Sequence, residues 1–458
     1  MDLPIEYYRI KMVERIRLPS REERYQNIVN AGWNVFRLRS RDVFIDLLTD
    51  SGTGSMSKEQ WAALMMGDES YAGADSWYRF KESVKDVLGF DYVLPVHQGR
   101  AAERILYTTL LDLKKPADTV PANTHFDTGK AVIEYYGAKP LDLPVPQALD
   151  YKSEHPFKGD IDLARLEEIL GTGRVAFVLL VLTNNTMGGH PVSPENIRET
   201  KKLAEDYGVP LVLDISRFAE NAFLIKERHP NYRDKSIPEI VKETMSHADH
   251  VIMSAKKDGL ANIGGFIATR SEDLYNRLTA RVVLEEGFIT YGGLAGRDLD
   301  AIAAGLREVV DEDYLRSRVS QVAYLHKRLL EEGVPVVSPP GGHAVYIDAL
   351  EMLPHIKREN FPADALAAHL YLESGVRGVG LGALAFARET DSGIVYPENE
   401  FLRLAVPRRV YTVSHLEYVA ESLGKIAREP EKVKGLRIVW EPPIKGIRHF
   451  LARLEPVS

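Results

Sequence analysis

The chain has 458 residues, 45% of them hydrophobic and 27% charged, enough apolar mass for a substantial core and for two large domains or about three smaller ones. Its 58 Lys and Arg against 66 Asp and Glu leave a formal charge of −8, so no global field draws the chain to nucleic acid. No cysteine is present, which removes disulfides, thiolate zinc sites, iron–sulfur clusters and a cysteine nucleophile.

From Met1 to Gln26 charges such as Asp2, Glu6, Arg9, Lys11, Glu14 and Arg15 interrupt every apolar stretch, unlike a signal peptide. The longest apolar run is the eight residues Val175 to Leu182, far short of the ~20 of a membrane helix, so a cytoplasmic protein is expected. That run reads as a buried strand. Ser193-Pro194 then caps a helix that carries Ile197, Leu203, Ala204 and Tyr207 inward and stops at Gly208. Val209 to Asp214 is a second strand, Pro238 to Ser246 a helix, Val251 to Ser254 a third strand and Phe266 to Thr269 a fourth. Strands alternating with helices predict an α/β unit with a mainly parallel sheet, and such sheets bind ligands at the carboxyl ends of their strands. From Leu294 to Glu332 the pattern is helical and charged, and Gly333 and Ser338-Pro339-Pro340-Gly341-Gly342 break it. A second, α+β domain is expected from about residue 311, with strands at Ala344 to Ile347 and Phe401 to Val406 and helices at Ala363 to Leu372 and Ser414 to Ile426.

Two motifs carry little. Gly378-Val379-Gly380-Leu381-Gly382 has the wrong glycine spacing and context for a dinucleotide loop. Asp50-Ser51-Gly52 and Asp127-Thr128-Gly129 resemble the triplets of an all-β protease class, which the alternating pattern contradicts, so they read as Asp-led turns. More informative is Asp214 at one strand end, followed by Ser216 and Arg217, with Ser254-Ala255-Lys256-Lys257-Asp258-Gly259 after the next strand. A carboxylate to keep a pyridine nitrogen protonated and an amine to form a Schiff base are what pyridoxal phosphate needs. Taken alone, loop charges are more often solvated surface groups.

Longer motifs raise the specificity. Leu47 to Gly54, Met66 to Gly73, His97-Gln98-Gly99-Arg100, Gly188 to Ser193, Ser254 to Asp258, Thr290 to Leu294 and Gly341 to Ala344, in this order, make the chain from about Tyr8 to Leu454 resemble the β-eliminating lyase family. The resemblance implies a fold type I pyridoxal-phosphate-dependent enzyme: a large domain with a mainly parallel, seven-stranded-type sheet (57–310), a smaller α+β domain (311–458) and an N-terminal arm that joins the small domain (1–56). It implies a homotetramer with active sites at subunit interfaces, an amino-acid substrate, and a monovalent cation, with potassium expected. It assigns Lys257 as Schiff-base lysine and α-proton base, with Lys256 beside it, Asp214 on the pyridinium and Arg217 near the ring hydroxyl. Gln98, Gly99, Arg100 and Ser254 would cradle the phosphate, Phe126 would stack on the ring, and Tyr291 would reach a neighbouring subunit's site. Tyr71 matches the general acid, Ser51, Asn185 and Arg403 the substrate side, and Gly52, Glu69 and Asn262 the cation site.

Members of the family release indole or phenol. The phenol branch has an arginine at the position of Leu381, a phenylalanine at that of His449 and a threonine at that of Asp127, so these three residues point to indole. The resemblance therefore implies β-elimination of L-tryptophan to indole, pyruvate and ammonia through a pyridoxal phosphate quinonoid. Gly129 to Tyr136 departs from both branches and Leu260-Ala261-Asn262 follows the phenol branch. Tyrosine and other β-substituted amino acids remain alternatives, and a cofactor-free binding protein on the same fold is the remote one.

Overall fold

The computed structural model describes residues 3–390, 393–443 and 445–457. The chain divides into two compact units, one of residues 51–319 and one assembled from 1–50 and 320–458.

The 51–319 unit is organised on seven strands: β1 (Tyr92–Val96), β2 (Thr119–Ala122), β3 (Lys139–Asp142), β4 (Val178–Val181), β5 (Leu211–Asp214), β6 (His250–Ser254) and β7 (Gly265–Thr269). Their order across the sheet is β1-β7-β6-β5-β4-β2-β3. The pairs from β6 to β3 are parallel, whereas β7 runs antiparallel to both β1 and β6. The fourth strand expected from the sequence therefore exists but points the other way: the loop 255–264 is too short for a crossover helix and returns the chain directly. Helices α1 (Gly99–Leu113), α2 (Asp127–Tyr135), α3 (Pro194–Asp206), α4 (Phe218–Arg228), α5 (Ile237–Ser246) and α6 (Gly296–Glu308) accompany the sheet. Ser193 caps α3 as its sequence predicts, its Oγ accepting from the Asn196 amide at 3.2 Å.

All five residues of β6 and all four of β4 and β5 are buried, because helices cover both faces. One cluster, including Phe80, Leu180, Leu213, Val251 and Phe266, fills one face, and a second, including Ile105, Tyr107, Phe177, Val212 and Ile252, fills the other. Adjacent residues on β5, Val212 and Leu213, go to opposite clusters, which is the period-two rule of a strand.

The other unit holds an antiparallel sheet of β8 (Ala344–Asp348), β9 (Val379–Leu381) and β10 (Phe401–Ala405), in the order β9-β10-β8, with α7 (Pro362–Ser374) and α8 (Val413–Arg428). The expected strands and helices of the α+β domain are all present, and the discounted glycine stretch is strand β9. The N-terminal segment is built in: Ile45 and Asp46 pair in parallel with Val376 and Arg377, and Ile28, Val35, Ile45 and Leu47 share a core with Leu366, Leu402 and Leu423.

Candidate active site

At the carboxyl ends of β5 and β6, short polar contacts tie together residues that the strands alone would leave as separate loops. Asp214 ends β5, and its Oδ1 accepts from the Ser216 amide at 3.0 Å and the Ser216 hydroxyl at 2.6 Å. Ser216 Oγ in turn accepts from the amide of Ser254, the last residue of β6, at 3.1 Å. The turn that follows is tight: Lys257 N–H donates to Ser254 O at 3.3 Å and Leu260 N–H to Lys257 O at 2.9 Å. Lys257 Nζ lies 5.9 Å from the centre of the Phe126 ring. Phe126 itself is placed as the residue preceding α2.

The turn is pinned by a residue that no motif assigned. Asp258 is fully buried, and its Oδ2 accepts from the Ala219 amide at 2.8 Å and the Glu220 amide at 3.3 Å, the opening amides of α4. Its own N–H donates to Ser216 O at 3.1 Å. A carboxylate at a helix N-terminus satisfies orphan amides and meets the positive end of the helix dipole. Arg217, the residue before α4, is buried as well.

Across from Ser254 lies the start of α1. Gln98 occupies the cap position and makes no side-chain capping bond, so the first amides of the helix, at Gly99 and Arg100, form an uncapped N-terminus. Gly99 must be glycine, because a Cβ there would stand 2.7 Å from Ser254 Cβ. Gln98 also bridges to Gly264 and the Gly264 amide donates to His97 O at 2.9 Å, which binds the loop to the turn before β7. Asn185 is buried in the loop after β4, and Asp127 is the first residue of α2, its Oδ1 accepting from the Thr128 amide at 2.6 Å.

The cation residues are only partly together. Asn262 Nδ2 donates to Gly52 O at 3.0 Å and to Gly54 O at 3.1 Å, and the Gly52 amide donates to Lys256 O at 2.7 Å, next to Ser51. Glu69 instead accepts from the Gly296 amide at 3.0 Å and from Arg297 Nη1 at 3.2 Å. Tyr71 is 71% exposed, with its ring 5.8 Å from Phe288 and 5.2 Å from Tyr291, and its hydrogen bond with Tyr291 raises its pKa. Within one chain, its ring partners are thus Phe288 and Tyr291 rather than Phe126.

Three sequence-assigned residues belong to the other unit. Arg403 sits in mid-β10 and its Nη2 donates to Leu48 O at 3.2 Å. Leu381 ends β9 opposite Phe401. His449 is buried, with its ring 3.8 Å from that of Phe450 and 6.0 Å from that of Phe36.

At the carboxyl ends of a mostly parallel sheet, an acid ends one strand, a lysine turn follows the next and an uncapped helix N-terminus faces that turn. The donor set fits pyridoxal phosphate: amides and a serine for a phosphate, a carboxylate for a pyridinium, an aromatic ring, and an amine for an aldehyde. Residues 46–422 match the family model described as "Beta-eliminating lyase". A probable tryptophanase of Aeropyrum pernix is 67% identical over 99% of this chain and 98% of its own length. A tryptophanase of Salinibacter ruber is 52% identical over 100% of the chain and 96% of its own, and a tyrosine phenol-lyase of Symbiobacterium thermophilum 48% identical over 99% of each. A solved structure, that of a SepCysS–SepCysE N-terminal domain complex, shares the fold at a TM-score of 0.54 and 17% identity, covering 85% of this chain and 96% of that one. The chain belongs to the β-eliminating lyase family, and is a pyridoxal-phosphate-dependent lyase.

Proposed function

We propose that the protein cleaves L-tryptophan and water to indole, pyruvate and ammonia. The observation that carries this reading is the contact chain Asp214–Ser216–Ser254 leading into the Lys257 turn, in a chain 67% identical to a probable tryptophanase. Bound pyridoxal phosphate supplies an electron sink for the substrate's α-carbon. Lys257 takes the α-proton; its amine must be held neutral for this, against an ordinary value of about 10.4. Asp214, pinned by Ser216, would keep a proton on the ring nitrogen, and Arg217 would serve the ring hydroxyl. Gln98, the Gly99 and Arg100 amides and Ser254 would hold the phosphate, and Phe126 would cover a ring face. Arg403 and Asn185, with Ser51, hold the substrate carboxylate, a task that suits a guanidinium fork.

Tyr71 protonates the indole carbon that leaves. Its exposure, with that of Trp61 (46%), Met65 (86%) and Met66 (75%), supports a homotetramer in which Tyr71 and Tyr291 complete the site of another subunit. Gly52 and Asn262 would offer oxygens to a monovalent cation such as potassium, and Glu69, although bonded to Gly296 and Arg297 within one chain, would supply the charge. No described helix is long and apolar enough to cross a membrane, which supports a cytoplasmic location. Leu381 at the position of the phenol branch's arginine, with His449 and Asp127, favours indole over phenol. The test is indole release from tryptophan and phenol release from tyrosine, measured side by side: indole is expected to form faster, and faster phenol release assigns the protein to tyrosine instead.

A further inference from the structure

One buried acid in the 51–319 unit has no part in the chemistry above. Glu103 lies one helical turn after Gly99 on α1, hence on the same face as the uncapped amides, and is only 4% exposed. Its Oε2 accepts from Thr128 Oγ1 at 2.6 Å. The contact is close because residue 129 has no side chain: a Cβ on Gly129 would lie 3.3 Å from Tyr107 Cε2 and 3.4 Å from Glu103 Oε1. The start of α2 is thereby seated on α1, and that start carries Phe126 and Asp127.

We propose that Glu103 is a positioning residue of this site, holding the Phe126–Asp127–Thr128 turn against α1 through Thr128 so that the ring-covering and leaving-group residues keep their places. The proposal rests on the reading of Phe126 and Asp127 given above. The charged groups acting on Glu103 are Asp214 from β5, Asp127 from α2 and Lys257 from the turn after β6. Burial, reinforced by the two acids and opposed by Thr128 and Lys257, pushes its pKa up to about 8. At neutral pH it therefore accepts from Thr128 as an uncharged acid and adds no second negative charge beside Asp214. Its own helix adds Tyr107, whose hydroxyl burial, Glu103 and Asp214 push upward in the same way.

The test uses Glu103→Ala, Thr128→Val, the double variant and Glu103→Gln, with two readouts: the dissociation constant for pyridoxal phosphate, by fluorescence titration of the apoenzyme, and kcat/KM for tryptophan and for S-methylcysteine. Glu103→Ala and Thr128→Val should each weaken cofactor binding about fivefold and lower kcat/KM for tryptophan about tenfold, with S-methylcysteine changed less. The double variant should be no worse than the worse single one, since both remove the same contact. Glu103→Gln, which keeps an acceptor of the same shape, should recover most of both losses. Multiplying effects in the double variant, equal damage to both substrates, or a glutamine variant as poor as the alanine one would each overturn the proposal. A wild type that binds cofactor but releases no indole removes the tryptophan reading alone; the cofactor-binding pattern across the four variants still decides the role of Glu103.

Discussion

Adjacent lysines at 256 and 257 have different surroundings. Lys256 packs its Cε within 2.6 Å of where a Gly52 Cβ would stand, and burial and then Arg100 lower its pKa, whereas Lys257 reaches over Phe126. Lys257→Ala should abolish the lysine-linked absorbance of bound cofactor and Lys256→Ala should keep it; borohydride reduction with peptide mapping checks this, and a pyridoxyl label on Lys256 would refute it. The positions of Asp214 and Lys257 at and after strand ends were legible in the sequence from its apolar runs, whereas their roles, and that of Arg217, came from the family resemblance. Asp258 and Glu103 were not legible, since Lys-Lys-Asp-Gly and Ala-Ala-Glu-Arg read equally well as solvated turn and helix surface. What decides their roles is the α4 amides and the Thr128 hydroxyl, which arrive from elsewhere in the chain. Indole offers a ring N–H and no hydroxyl, so His449→Phe should lower kcat/KM for tryptophan about tenfold by removing a polar partner, while S-methylcysteine, whose thiolate leaves without help from the pocket, is spared. Equal losses on both substrates would argue against that role.

At the scale of elements, strand and helix positions followed from apolar runs and caps, but strand direction did not, since a short apolar run reads the same both ways. The reversal of β7 is set by the length of the loop that returns from β6. Helix α6 shows how tightly such a loop is held: a Cβ on Gly305 would come within 2.1 Å of Gly259 O, and one on Gly259 within 2.5 Å of Ala255 O. Neither backbone atom can step aside without moving the turn that carries Lys257. Gly305→Ala should therefore cost about 1–3 kcal/mol in stability and weaken cofactor binding together. Thermal melting alongside a pyridoxal phosphate titration measures both, and an unchanged affinity would mean that α6 and the turn move independently.

Over the whole molecule, several carboxyl groups are buried with their pKa raised. Besides Glu103, burial brings Asp160 up to about 7 and Glu400 up to about 7, the latter fully buried against the Ala383 amide at 2.6 Å. In each case the folded value exceeds the unfolded one, so the native state keeps a proton that the unfolded chain has already lost. Stability from these groups is highest below about pH 4 and declines as pH rises toward 7, the reverse of a salt-bridged carboxylate. Glu400→Gln should flatten the decline, narrowing the difference in Tm between pH 5 and pH 8 by about 2 °C or more. A difference as steep as that of the unmodified protein would show that Glu400 does not titrate in this range.

The division of the chain into 51–319 and an assembly of 1–50 with 320–458 has a consequence for synthesis. On the ribosome, residues such as Ile28, Val35 and Ile45 emerge first, yet Leu366, Val376 and Leu402, which bury them, lie beyond the entire intervening unit. At about 5–20 residues per second their oily side chains wait for roughly a quarter of a minute to a minute. Meanwhile the unit with the lysine turn is translated as one unbroken stretch. Until those partners arrive, the apolar side chains of residues 28–45 lack the core that buries them in the native unit.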